Sequence, residues 1–120
     1  MEISRIDPAH ETWADLVAHL RRVDHAQWVL DEKDEPTGAF LFLAAVVEGE
    51  VVGDLTLEPR NVVLPATEWS GGKETPLLDA AGQSVRETFV MTFCVEEGHR
   101  RLGIGRALQE AALTWTCLLY

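Results

Sequence analysis

The hexapeptide Arg100-Arg101-Leu102-Gly103-Ile104-Gly105 constrains this chain more than any other stretch. Before it, Thr88 to Val95 is a run of β-branched, aromatic and apolar residues that reads as a strand. After it, Ala107 to Leu113 combines strong helix formers with apolar residues at helical spacing. The glycines between them let the backbone come close to a ligand, and the N–H groups that open a helix have no intrahelical acceptor. Those donors and the helix dipole favour an anion. Arg100, Arg101 and Arg106 add positive charge at the same place, where cations oppose the dipole unless an anion is present. The segment therefore predicts a strand, an anion-binding turn and a helix.

That local positive charge stands out because the chain as a whole carries a net charge of −10, with a pI near 4.7. Such a balance argues against a general nucleic-acid or acidic-membrane binder, where a basic face is expected. It suits a cationic substrate such as an amine, or simply solubility. A length of 120 residues with 47% hydrophobic residues is enough for one domain, spanning 1–120, with its own core. Cys94 and Cys117 form neither a disulfide framework nor a metal-ligand spacing, so free thiols in a reducing cytoplasm are expected, and no metal. Met1-Glu2-Ile3-Ser4-Arg5 lacks the pattern of a signal peptide, and no apolar run approaches membrane-spanning length.

Along the chain, Glu2–Ile6 suits a short strand, and Asp7-Pro8 suits a helix cap followed by proline at the first helical position. Trp13, Leu16, Val17 and Leu20 define one apolar helical face. Asp24 is placed to cap a second short helix through Gln27 to Leu30, and 31–38 reads as a solvated linker. Phe40 to Val47, the turn Glu48-Gly49-Glu50 and Val51 to Leu57 predict a hairpin. Its first strand lacks alternation and is expected at the centre of the sheet. Its second alternates, with Val51, Gly53, Leu55 and Leu57 on one face and Val52, Asp54, Thr56 and Glu58 on the other. Residues 59–85 form a long connection, expected to pack partly on the body through Val62-Val63-Leu64, Trp69 and Leu77-Leu78, or to carry a minor hairpin. The fold class is α/β (α+β-like), with a mostly antiparallel sheet flanked by helices.

With these parts in order, the chain resembles the first part of the GNAT acetyltransferase superfamily. The family signature R/Q-x-x-G-x-G/A, after the fourth strand and opening the third helix, matches Arg100 to Gly105. Val95, the four residues Glu96-Glu97-Gly98-His99, and Gly105-Arg106-Ala107-Leu108 fit the longer frame, and the hairpin Ala45 to Leu55 resembles the family's second and third strands. The resemblance implies a truncated GNAT fold and an acetyl-CoA co-substrate. The backbone N–H groups of Arg101, Leu102, Gly103, Ile104, Gly105 and Arg106 would hold its pyrophosphate, beside Arg100. Phe93, Cys94 and Val95 would pair with the pantetheine amides, and the Val95 N–H would polarise the thioester carbonyl.

The family's fifth strand, a further helix, two more strands and its usual tyrosine acid lie beyond the pattern matched here. Thr116 to Tyr120 is expected just to enter the fifth strand, and Tyr120 takes no catalytic role. An apolar fourth strand left at an edge invites pairing, so a homodimer covering it is expected. The implied reaction is acetyl transfer to a small amine or a protein amine. The alternative is an inactive GNAT-like domain that binds CoA or serves as an interaction module. Among Asp54, Glu58, Glu87, Glu96 and Glu97, Glu58 is the candidate general base. The absence of a Gly-Lys-Ser/Thr ending excludes a P-loop, and no dinucleotide fingerprint is complete.

Overall fold

The computed structural model describes residues 1–119. In chain order the elements are β1 (Glu2–Ile6), α1 (Trp13–Arg22), α2 (Ala26–Val29), β2 (Leu41–Val47), β3 (Glu50–Asn61), β4 (Val63–Leu64), β5 (Thr75–Pro76), β6 (Arg86–Val95), a 3-10 turn over Glu97–His99, and α3 (Ile104–Leu119). The main sheet is antiparallel throughout, in the order β1-β2-β3-β6. The unbroken apolar run of β2 follows from its place between β1 and β3, with helices over both faces.

One face carries Phe42, Ala44 and Val51 against Leu16, Val17 and Leu20 of α1 and Ala26 and Val29 of α2. The other carries Leu41, Leu43, Ala45, Val52, Leu55 and Leu57 against Ile104, Leu108 and Ala112 of α3. The alternation read from the sequence holds from Gly53 onward but not before it. A bulge shifts the β2–β3 register between Ala45 and Val46, which turns Val51 to the α1 face and Val52 to the α3 face. Both valines are therefore core residues. A Cβ on Gly53 would meet Leu108 Cδ1 at 3.2 Å and the Cys94 carbonyl oxygen at 3.3 Å, so the glycine is where α3 crosses close to the sheet.

Two helix boundaries differ from the sequence expectation. Asp7 opens a turn, its carboxylate accepting the Ala9 N–H at 2.9 Å, and α1 begins only after Thr12. Asp24 closes α1 rather than capping α2. At φ 61 it is the left-handed residue of a Schellman ending, with Asp24 N–H to Arg21 C=O and His25 N–H to Leu20 C=O. The C-terminal expectation also changes, because Thr116 to Leu119 continues α3 and is not strand. Alanine and leucine carry the helix on, and nothing before Leu119 breaks it. Tyr120 lies outside the described residues.

The long connection carries the minor hairpin, β4 paired with β5, and Val62 N–H bonds Val85 C=O at its base. It does not pack on the body through Trp69, which is 100% exposed. Residues 59–86 instead extend β3 and β6 outward, giving the molecule extents of 54 × 30 × 26 Å.

Candidate active site at the end of β6

β6 is the outer strand of the sheet, and its ladder with β3 decides which backbone groups face outward. Val95 stands opposite Gly53, and the Glu96 N–H bonds the Val52 C=O at 2.8 Å. This pattern makes Val95–Gly53 a non-hydrogen-bonded pair, so the N–H and C=O of Val95 point away from β3. Phe93, two residues back, presents its backbone in the same direction. The open edge thus offers extended-chain donors and acceptors at Phe93 and Val95, two of the three positions the sequence indicated, whereas the backbone of Cys94 turns to Asp54 on β3. Arg100 Nε covers the Val95 carbonyl at 3.0 Å, which leaves the Val95 N–H at the edge. Cys94 faces the opposite side, with its thiol pKa raised first by burial and then by the Asp54 charge.

Beyond Val95 the chain passes through Glu97–His99 and turns sharply into α3. Arg101 at φ 67 and Gly103 at φ 78 both take the left-handed conformation that reverses the backbone. The first helical bond runs from the Ala107 N–H to the Gly103 C=O at 3.0 Å. The N–H groups of Gly103, Ile104, Gly105 and Arg106 therefore precede the intrahelical ladder and stand free at a helix start, an arrangement that favours an anion. A Cβ on Gly105 would sit 3.5 Å from the Phe93 ring, so this glycine brings the helix start over the strand end. Between them lies a cleft of about 390 Å³ lined by Phe93, Cys94, Val95, His99, Arg100, Arg101 and Gly105.

The three arginines divide their tasks. Arg100 turns to Val95, Arg106 pairs with Glu110 one helical turn on at 3.2 Å, and Arg101 stands exposed at the turn. Leu102 is also exposed, at 67%, whereas Ile104, the first residue of α3, is buried against the sheet. Glu58 is not brought to this place. It pairs across β6 with Phe89 and lies 3.6 Å from Arg60, whose guanidinium stacks on the Phe89 ring. Five residues of β3 separate it from the level of Val95, about 16 Å of strand, which is beyond direct proton transfer.

Sequence reasoning missed a buried polar cluster beside the cleft. His19, completely buried in α1, donates from Nε2 to Asp54 at 2.7 Å and from Nδ1 to Glu96 at 2.8 Å. Thr92 donates to the other Asp54 oxygen at 2.5 Å, and Arg22 holds Glu96 through Nε at 2.9 Å and Nη2 at 3.0 Å. A carboxylate only accepts, so this arrangement favours the doubly protonated, charged form of His19. Burial alone would lower its pKa, but the hydrogen bonds to Asp54 and Glu96 and their charges raise it above its usual 6.5. The Arg22 hydrogen bond outweighs the desolvation of Glu96 and, with His19, holds its pKa at about 2. The available signal was the polar Asp54 in an otherwise apolar strand and His19 on the apolar face of α1.

The fold agrees with what is known of other proteins. A family model described as the acetyltransferase (GNAT) family matches residues 4–116. Similar solved structures include an aminoglycoside antibiotic 6'-N-acetyltransferase from Acinetobacter haemolyticus, 16% identical, covering 99% of this chain and 73% of that one, with a TM-score of 0.58. An acetyltransferase from Vibrio fischeri is 14% identical over 95% of this chain and 84% of its own, with a TM-score of 0.61. A ribosomal-protein-alanine N-acetyltransferase from Brucella melitensis is 18% identical over 94% and 68%, with a TM-score of 0.56. At these identities the structures speak to the fold alone, and no curated protein matches the sequence. The family model, covering nearly the whole chain, shows that this protein belongs to the GNAT acetyltransferase family.

Proposed function

We propose that this chain transfers an acetyl group from acetyl-CoA to an amine, with the co-substrate lying in the cleft between β6 and α3. The observation that carries this reading is the outward-facing Val95 N–H directly beside the helix start at Gly103 to Arg106. The N–H groups from Arg101 to Arg106 and the exposed Arg101 side chain would hold the pyrophosphate. The outward backbone of Phe93 would take the pantetheine as an added strand, which leaves the Val95 N–H for the thioester. The neutral amine attacks the thioester carbon, a C–N bond forms, and the developing oxyanion is met by the Val95 N–H. The C–S bond then breaks, the CoA thiolate leaves, and the amine proton passes to solvent, because Glu58 lies about 16 Å along β3 from the level of Val95.

The acceptors printed for similar structures, an aminoglycoside and a ribosomal-protein alanine, are chemically different amines. The net charge of −10 favours a cationic amine in general and selects neither. The open β6 edge, with Phe89 48% and Val90 49% exposed, is where the homodimer expected from the sequence would pair.

The test is calorimetric titration of acetyl-CoA into the chain and into Gly103→Glu. At Gly103 a side chain meets no atom within 4 Å, but φ 78 and an added carboxylate oppose both the turn and the anion. Saturable binding lost in a variant with native circular dichroism supports the site. Binding without acetylation across amine panels would leave the CoA-binding alternative, and no binding by the folded chain would overturn the reading.

A further inference from the structure

We propose that His19 is a positioning residue for acetyl transfer, tying α1 to the end of β6 so that the Val95 N–H is held at the thioester. This rests on the reading of the β6–α3 cleft as the acetyl-CoA site. Val95 is the last residue of an outer strand, a place where a strand ordinarily frays. Its last rung is the bond from the Glu96 N–H to Val52. The Glu96 side chain is what anchors that rung from outside the sheet, and α1 supplies both of its partners, His19 and Arg22.

The arrangement admits one geometry. Both oxygens of Asp54 are used, by His19 and Thr92, and both oxygens of Glu96 are used, by His19 and Arg22. Asp54 lies on β3 and Glu96 directly follows β6, so His19 joins the helix, the inner strand and the end of the outer strand at one imidazole, while Thr92 of β6 is reached through Asp54. Two carboxylates against one imidazolium and one guanidinium make the cluster neutral, and its buried members are fully bonded. Satisfied buried networks of this kind fix a unique arrangement. No group of the cluster lines the cleft, so His19 acts through Glu96 and Val95 and not on the substrate.

The test compares His19→Leu with Glu96→Gln, the second because the Glu96 side chain is 24% exposed and the change keeps the residue's size. One readout needs no ligand: amide hydrogen exchange at Val95 and Glu96. Both variants should exchange there about tenfold faster, while amides of the β1–β2 ladder keep their protection. The other readout is the affinity for acetyl-CoA relative to CoA. The turn touches both ligands, whereas the Val95 N–H meets only the acetyl carbonyl, a bond worth about fivefold in affinity. Loss of that preference, beyond any shared weakening, marks positioning as distinct from general destabilisation. Unchanged exchange at Val95 and Glu96 in folded variants would overturn the proposal, as would a preference for acetyl-CoA that survives both substitutions. Failure of the wild-type chain to bind either ligand would sink the functional reading, with the exchange result still deciding whether His19 holds the strand end.

Discussion

Asp54→Ala tests the buried cluster where it is most demanding. The Asp54 side chain is 0% exposed, with His19 Nε2 at 2.7 Å and Thr92 Oγ1 at 2.5 Å. Truncation leaves a buried imidazolium with one carboxylate in place of two, and a buried hydroxyl without its acceptor. Removing one member of a buried ion pair costs about 3–5 kcal/mol, and orphaning the hydroxyl adds about 1 kcal/mol. His19 relieves part of this by releasing a proton, which sets the expected net loss near 3 kcal/mol. For a chain of this length that corresponds to a fall of about 12 °C in Tm. The assay is urea unfolding at pH 6, followed by tryptophan fluorescence, with the m-value checked for constancy. Asp54→Asn should lose less, because its amide oxygen still accepts from His19, and Asp54→Ala/His19→Leu should recover part of the loss by removing the stranded charge. A loss below about 1 kcal/mol for Asp54→Ala at unchanged m would refute the reasoning, since an unpaired buried charge cannot be that cheap.

Two further outcomes follow from the same geometry. Glu96 has a folded pKa of about 2, below its usual 4.5, so its contribution is complete above about pH 4.5 and lost as the pH falls toward 2. His19 is raised above 6.5, so its contribution is complete below about pH 6.5 and fades as the pH rises through the folded value. The cluster therefore stabilises most between about pH 4.5 and 6.5, and urea midpoints that climb steadily from pH 6.5 to 9 would contradict this. Gly53→Val should cost about 2 kcal/mol by overpacking against Leu108 and the Cys94 carbonyl, 3.2 and 3.3 Å from the added Cβ, and a thermal melt that does not move would show that α3 can back away.

Much of this protein was legible before its structure. The hairpin at 41–57, the strand ending at Val95, the turn at Arg100 to Gly105 and the α1 face of Trp13, Leu16, Val17 and Leu20 are all carried by local signals: period, glycine placement and apolar runs. The places that misled were those where one local signal fits two structures. Asp-Pro starts a turn as readily as a helix, an aspartate suits a left-handed helix end as well as an N-cap, and a bulge at Val52 is invisible to strict alternation. Trp69 is large and apolar, which favours packing on the body, yet it is fully exposed on the connection that carries β4 and β5.

The sequence by itself determined the antiparallel sheet with its helices, the family, and the backbone turn proposed to hold acetyl-CoA, because each is encoded over a few consecutive residues. Only the tertiary structure decided what surrounds them. It brought His19, Asp54, Thr92, Glu96 and Arg22 together from α1, β3, β6 and the turn, across separations of up to 77 residues. It also placed Glu58 too far along β3 to meet an amine at Val95 directly. A lone histidine or aspartate in a sequence carries no mark of its partner, and the low dielectric that makes such a pair matter exists only once the core has closed around it.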